Sequence, residues 1–331
     1  MALYADTGAA MPERPWGYWT EQKLSMLADY LPCFTTAASK KAKTTLYLDL
    51  FAGDVENVSR TTGASIAGSP KVALDTVPPF GKVVLFELPA EAARLGQRLH
   101  RDHPGRDLTV YPGNCNLTID QALRDLAPLA RAPTFALIDQ YAAEIHWTTL
   151  AKLAQFKRRS PNKVELWLLF APSMLPRGLA QDDPGRVAEF ADRITAMYGT
   201  PAWQHIHDAR QAGRLGPADT RYELVNLMRW RLEWALRYKI THTFEMKNTH
   251  GGPLYEMIFA TDNAAGNRIM SHIYGLAAER QPRMREDALA KVQAVREEKR
   301  GDLTLFPPLP RAVKAAALYQ HRPPEPPYHL R

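Results

Sequence analysis

A doubly wound α/β fold with a mostly parallel sheet is what this 331-residue sequence predicts, and three observations predict it. The run from Leu46 to Leu50 is apolar apart from Asp49 and stops at Phe51-Ala52-Gly53, as a buried parallel strand does when it ends in a tight turn. The same pattern, an apolar run with a polar tip, returns at Val83 to Glu87, Phe135 to Asp139 and Val164 to Pro172. Between the second and third strands, Ala93, Leu95 and Leu99 recur among Arg94, Arg98 and Arg101, as a crossover helix requires. Strands of such a sheet deliver their carboxyl ends to one crevice, so a ligand is expected at these tips.

The length and a 45% hydrophobic content allow a sizeable core, in one elaborated domain or two. No apolar run approaches eighteen residues, so no membrane partner is expected. The first fifteen residues lack a charged start followed by a hydrophobic stretch, and Cys33 and Cys115 form no disulfide framework or metal spacing; a cytoplasmic setting is expected. The net charge of +7 is compatible with a polyanionic partner and with many ordinary proteins.

Taken in order, Trp19, Leu24, Leu27, Tyr30 and Leu31 define an amphipathic helix, with Thr20 as its N-cap and Lys23 exposed. Lys40, Lys41 and Lys43 read as a solvated lead-in or as a phosphate contact. After the first strand, Asp54 to Ala67 is a long polar loop, expected to act as a lid. It ends at Gly68-Ser69-Pro70, where Ser69 is the expected cap of a helix starting at Pro70. Glu87 at the second tip can accept hydrogen bonds from both hydroxyls of a ribose. The third strand, Leu108 to Tyr111, leads to Asn114, which can bond an adenine amino group, and to Asn116, a candidate cap; both asparagines can instead simply shape the turn. The fourth tip sets Asp139 beside Tyr141: a carboxylate able to hold an ammonium and a ring able to stack on a flat base.

In this order, Asp49-Leu50-Phe51-Ala52-Gly53, Gly68-Ser69-Pro70, Glu87, Gly113-Asn114-Cys115-Asn116 and Asp139-Gln140-Tyr141 resemble class I S-adenosylmethionine-dependent methyltransferases. More narrowly, the chain is similar to the three-Cys-motif partner proteins, the TcmP family of bacteria and phages, over roughly Trp19 to Tyr274. The resemblance implies a Rossmann-like methyltransferase fold, a mostly parallel sheet with an antiparallel last strand and a helical insertion. It also implies S-adenosylmethionine as cofactor. Carried over residue by residue, Asp49, Phe51, Ala52, Gly53 and Ser69 would border the methionine and ribose, Glu87 the ribose hydroxyls, Asn114 and Cys115 the adenine, and Asp139 and Tyr141 the acceptor nitrogen of a base or peptide. Replacing Asp139 is then expected to lower turnover more than cofactor affinity.

The chain departs from the pattern at three places. Asp54, Val55 and Glu56 follow Gly53 where glycine and proline are usual, Asn114 replaces an acid, and Gln140 and Ala142 replace the proline and glycine of the fourth tip. The alternative to an enzyme is therefore a catalytically silent binding or regulatory protein on the same fold.

The domain reading is a helical lead over 1–44, a methyltransferase-like domain over 45–275 with an insertion near 173–239, and a charged helix with a proline-rich tail over 276–331. In the insertion, Trp203, Trp230 and Trp234 lie among Arg210, Arg214, Arg221, Arg229, Arg231 and Arg237, a composition suited to nucleic acid. Leu227, Trp230 and Trp234 also fit one apolar helix face with the arginines on its wet side. His205 and His207 lack further ligands and predict no metal. Two late strands flanking Gly251-Gly252 should form a hairpin, followed by one helix from Ala264 and a second from about Arg285. The final segment, with eleven Lys and Arg against seven Asp and Glu from residue 279 on, reads as an extended arm. The family name implies a three-Cys-motif partner protein.

Overall fold

The computed structural model describes residues 15–157, 160–300 and 318–331. The start of the expected lead and the Pro307, Pro308 and Pro310 part of the tail lie outside the described residues. The chain runs from helix Tyr18–Ser39 (α1) into strand Leu46–Asp49 (β1), then through a small hairpin of Glu56–Val58 (β2) and Ser65–Ala67 (β3). Helix Ser69–Asp75 (α2) leads to Lys82–Glu87 (β4), Pro89–Asp102 (α3), Leu108–Pro112 (β5) and Cys115–Asp125 (α4). Thr134–Ile138 (β6), Trp147–Phe156 (α5) and Glu165–Phe170 (β7) complete the alternating part. Helices Met174–Leu179 (α6), Pro184–Tyr198 (α7), Trp203–Gln211 (α8) and Pro217–Trp234 (α9) form the insertion, before Ile240–Lys247 (β8), Pro253–Thr261 (β9) and Ala264–Arg300 (α10).

The seven-stranded sheet has the order β5-β4-β1-β6-β7-β9-β8. The strands from β5 to β7 are parallel, and β9 runs antiparallel to both β7 and β8. This is the mostly parallel, doubly wound sheet with an antiparallel final strand and helical insertion that the sequence predicts. β1 is central and buried on both faces, which explains its unbroken apolar run. Leu48, Val84, Ala136 and Leu166 face a core shared with α4, α5, α7 and α9, while Tyr47, Leu85, Phe135 and Trp167 face one shared with α1, α3 and α10. Connections turn to opposite sides of β1, toward β4 and toward β6, so the topological switch point lies between β1 and β6.

Several local expectations are corrected. The N-cap of α1 is Gly17 rather than Thr20, and that of α2 is Gly68 rather than Ser69. Glycine is required at 68 because an added Cβ would stand 2.0 Å from the Asp54 carbonyl oxygen. The expected lid is the β2–β3 hairpin, tethered to its surroundings: Ser59 Oγ donates to Glu21 Oε1 at 2.6 Å, the Trp16 amide to Val58 O at 2.9 Å, and Glu56 pairs with Arg98 of α3. Two helices were expected after β9, yet α10 is continuous through Pro282. Its neighbours hold that stretch in place: Arg280 pairs with Asp29 at 2.8 Å, and Gln281 Nε2 donates to Glu245 O at 2.9 Å.

The last fourteen residues are not a free arm. They cross α9 and β8, where Asn226 exchanges two bonds with the Glu325 backbone and Arg229 donates to Arg322 O. His242 on β8 is enclosed at this junction; its Nε2 donates to Asn267 Oδ1 at 2.6 Å and its Nδ1 accepts from the Tyr319 hydroxyl at 2.8 Å. Burial pushes the His242 imidazole down to about 4, with His321 and Arg229 acting in the same direction and Asn267 against it. Because the folded value lies below the unfolded one, this contribution is complete above about 6.5 and is lost as pH falls toward 4, about 3 kcal/mol in all. Urea unfolding at pH 7.5 and 4.5 is expected to show a larger acid loss in the native chain than in His242→Gln. Equal losses would contradict the assignment.

Candidate active site at the carboxyl ends of the parallel strands

The turn after β1 brings Gly53 over the tip of β4. Gly53 adopts φ +63°, which L side chains rarely tolerate, and its amide donates to Glu87 Oε2 at 2.7 Å. The Leu88 amide donates to the other oxygen, Oε1, also at 2.7 Å. Each carboxylate oxygen keeps an acceptor site, so Glu87 is oriented by backbone groups and still able to receive two hydroxyls.

At the β5 tip, Asn114 rather than Asn116 caps α4, its Oδ1 accepting from the Asn116 amide at 2.9 Å. Asn116 instead ties this tip to the next: its Nδ2 donates to Glu144 O at 2.8 Å, and its Oδ1 accepts from the His146 amide and the Thr149 hydroxyl. A cleft of about 570 Å³ opens between these tips, lined by Phe51, Gly53, Glu87, Asn114 and Cys115, with Arg193 of α7 on its far wall. Burial pushes the Cys115 thiol up to about 12, so it lines the cleft as a neutral, unreactive group.

Five expected site residues lie off this cleft. Asp49 is fully buried on the α1 face, where the Tyr47 hydroxyl donates to Oδ2 at 3.0 Å and the Phe51 amide contacts Oδ1 at 3.3 Å. Burial pushes its carboxyl up to about 7 against a bond from Ser69, with repulsion from Asp139 adding to the rise. Ala52 is buried, and Ser69 Oγ lies 3.4 Å from its carbonyl. Asp139 forms an ion pair with Lys23 of α1, and Tyr141 is 74% exposed. Phe51, Gly53, Glu87, Asn114 and Cys115 are thus brought together, while Asp49, Ala52 and Ser69 form the floor beneath the turn.

Lys23 was expected to be solvent-exposed but is buried against the β6 tip. Its spacing with Trp19 and Leu27, four residues either side, is the sequence signal for that inward position. The departures from the family pattern also acquire physical explanations. Glu56 turns away to Arg98. Gln140 replaces proline by shaping the tip itself: its Oε1 accepts from the Glu144 and Ile145 amides, and its Nε2 donates to Leu169 O at 3.2 Å.

A second pocket of about 210 Å³ opens at the β7 tip between α9 and the β8–β9 hairpin, lined by Arg221, Tyr222, Arg229, Tyr255 and Glu256. Glu256 accepts from Thr243 Oγ1 at 2.6 Å, and burial pushes its carboxyl up to about 7. Sequence reasoning missed this acid; its signal is one charged residue within an otherwise apolar strand.

The arginines of α9 do not form a simple wet face. Arg229 is buried, donating to Thr241 O and Oγ1, and Arg231 lies over the Trp147 ring at 4.3 Å. Trp230 and Trp234 stack at 4.7 Å, and Trp234 is 55% exposed. No helix among the described residues is long and apolar enough to cross a membrane.

No family model and no curated protein matches the chain. Among solved structures it is similar to M. jannaschii TYW2 in complex with AdoMet, at 11% identity over 74% of this chain and 76% of that one, with a TM-score of 0.34. It is also similar to the plantazolicin methyltransferase BpumL in complex with SAH, at 11% identity over 74% of this chain and 85% of that one, with a TM-score of 0.33.

Proposed function

We propose that the chain is an S-adenosylmethionine-dependent methyltransferase of the TcmP type, acting on a nitrogen of a nucleic-acid base or a peptide together with a three-Cys-motif partner protein. The observation that carries this reading is the Glu87 carboxylate, oriented by the Gly53 and Leu88 amides at the mouth of a cleft beside the switch point. The residues present fit the cofactor: the 570 Å³ cleft lies within the range of small-molecule sites, about 300–1,000 Å³. When bound, the sulfonium supplies an electrophilic methyl group. Glu87 would hold the ribose, and Phe51, Asn114 and Cys115 would flank the base.

The pairing of Asp139 with Lys23 alters its expected role. An ammonium and a carboxylate side by side at the β6 tip carry the two charges that complement an amino-acid zwitterion; the pair lies off the Glu87 cleft and is closed on itself, so it would hold the methionine end only after opening. Tyr141, exposed beyond it, offers its ring to the acceptor. The exposed Trp234 and its stack with Trp230 favour a nucleic acid among the acceptors.

Labelled methyl transfer from S-adenosylmethionine into total RNA and into a protein extract, with and without a three-Cys-motif partner, tests the activity. Incorporation into either supports the reading. On the zwitterion reading, Asp139→Asn and Lys23→Met each weaken S-adenosylhomocysteine binding by about tenfold, the worth of one charge-assisted bond. Unchanged affinity with lost methyl incorporation would instead return Asp139 to orienting the acceptor.

A second reading, a silent binding protein, has in its favour that Asp139 is already closed by Lys23. Cofactor binding without incorporation in any fraction would support it.

A further inference from the structure

We propose that the cavity at the amino-terminal end of the parallel sheet is a binding site for a small phosphate-bearing anion. This cavity, about 270 Å³, lies at the opposite end of the strands from the Glu87 cleft, between the end of α1, the starts of β6 and β7, the end of α5 and the first turn of α10.

Lys157 is its central group. The residue is 5% exposed and lines the cavity, yet among the described residues its ammonium has no hydrogen bond or ion pair. Burial pushes it down to about 8, and attraction from Glu165 does not offset that cost. Glu165 is engaged elsewhere: its Oε2 accepts from the Tyr30 hydroxyl at 2.5 Å and its Oε1 from Thr261 Oγ1 at 2.8 Å. Burial raises the Glu165 carboxyl, with the bonds from Tyr30 and Thr261 opposing.

The remaining cations divide in two. Lys163 is committed to Asp262 and to Arg237 O, each within 2.8 Å. Lys41 and Arg131 line the cavity with no ion-pair partner among the described residues. Asn263, Ala265 and Gly266 bring the first turn of a 37-residue helix to the cavity wall, where the Ala265 amide is already taken by Asn263 Oδ1 at 2.9 Å and the Glu165 carboxylate lies beside Gly266, so the anion contacts fall to the lysines and Arg131. The Lys157 ammonium opens on the cavity from a mostly buried residue, and phosphate oxygens would supply acceptors that no described protein group gives it. Lys41 belongs to the basic cluster before β1, one reading of which was a phosphate contact.

Calorimetric titration of the full chain with inorganic phosphate, pyrophosphate and adenosine 5′-monophosphate, at matched ionic strength, tests the site. Saturable binding of at least one probe is expected, weakened by about tenfold or more in Lys157→Met and by about threefold in Arg131→Ala. Lys157→Met exchanges a buried cation for an apolar chain of similar length, so it is expected to fold with an unchanged or raised melting temperature. S-Adenosylhomocysteine binding should be the same in both variants as in the native chain. Preference for phosphate or pyrophosphate identifies a free ion as the occupant; preference for the nucleotide identifies a nucleotide phosphate. No saturable heat with any probe up to about 10 mM, a strength at which charge-assisted contacts of this number should register, or binding unaltered by Lys157→Met, overturns the proposal.

Discussion

Glu87→Gln is expected to weaken S-adenosylhomocysteine binding by on the order of a hundredfold, about 3 kcal/mol, while leaving the melting temperature nearly unchanged. The native carboxylate takes the Gly53 amide on one oxygen and the Leu88 amide on the other, leaving a lone pair on each for a ribose hydroxyl. A carboxamide has one oxygen. Its NH2 group must either face a backbone N–H or replace an acceptor at the ribose, and the charge that strengthened both bonds is gone. The loss falls on the ligand because the amide of Gly53 lies at the exposed rim, where water can replace the missing acceptor. Calorimetry on both chains, with a thermal melt as control, checks this. Equal affinities would remove Glu87 from the site.

The second large effect is on stability. Arg229→Ala is expected to cost about 3 kcal/mol or more, the usual scale for removing one member of a buried hydrogen-bonded charge network. Arg229 is 5% exposed and joins three segments: α9, which carries it; β8, through Thr241 O at 2.9 Å and Thr241 Oγ1 at 3.1 Å; and the C-terminal segment, through Arg322 O. Burial lowers its guanidinium, with Glu233 opposing, so the group is held at an electrostatic cost that its hydrogen bonds offset. Truncation removes the Arg229 donor from the Arg322 carbonyl and leaves Thr241 O with His321 Nε2 at 3.0 Å as its side-chain partner. Urea unfolding should show the lower midpoint, and limited chymotrypsin digestion should cut the segment after Tyr319 faster. Lysine at this position is expected to recover less than half of the loss, since a single ammonium cannot span the three acceptors as the planar fork does. Unchanged digestion in the alanine variant would show that the segment docks without Arg229.

The frame of the molecule was legible because it depends on short-range pattern. β1 announces itself by an apolar run, since both of its faces are covered, and each parallel strand ends at the polar tip that marks it in the sequence. Phe51, Gly53, Glu87, Asn114 and Cys115 meet for the same reason: topology carries strand ends to one place. What escaped the sequence depends on partners far away along the chain. Lys23 looks solvent-facing until Asp139, 116 residues later, is placed opposite it. The C-terminal segment reads as an extended arm because Asn226, which takes both polar groups of the Glu325 backbone, is 99 residues distant.

Other differences arise where local chemistry allows two solutions. Ser69 and Pro70 permit a cap at either 68 or 69, and the close approach of the Asp54 carbonyl decides for glycine. Pro282 would ordinarily end a helix, but contacts from Arg280 and Gln281 to α1 and β8 hold the backbone on course. Gln140 departs from the expected proline in one dimension and shapes the turn in three, because its side chain accepts from the Glu144 and Ile145 amides.

Titrating the full-length chain with S-adenosylhomocysteine in a calorimeter tests the central claim most directly. The account predicts one saturable site per chain with a dissociation constant in the micromolar range, about −8 kcal/mol, lost in Glu87→Gln and retained in Lys157→Met. Absence of heat at millimolar ligand, or binding that Glu87→Gln leaves intact, would contradict it.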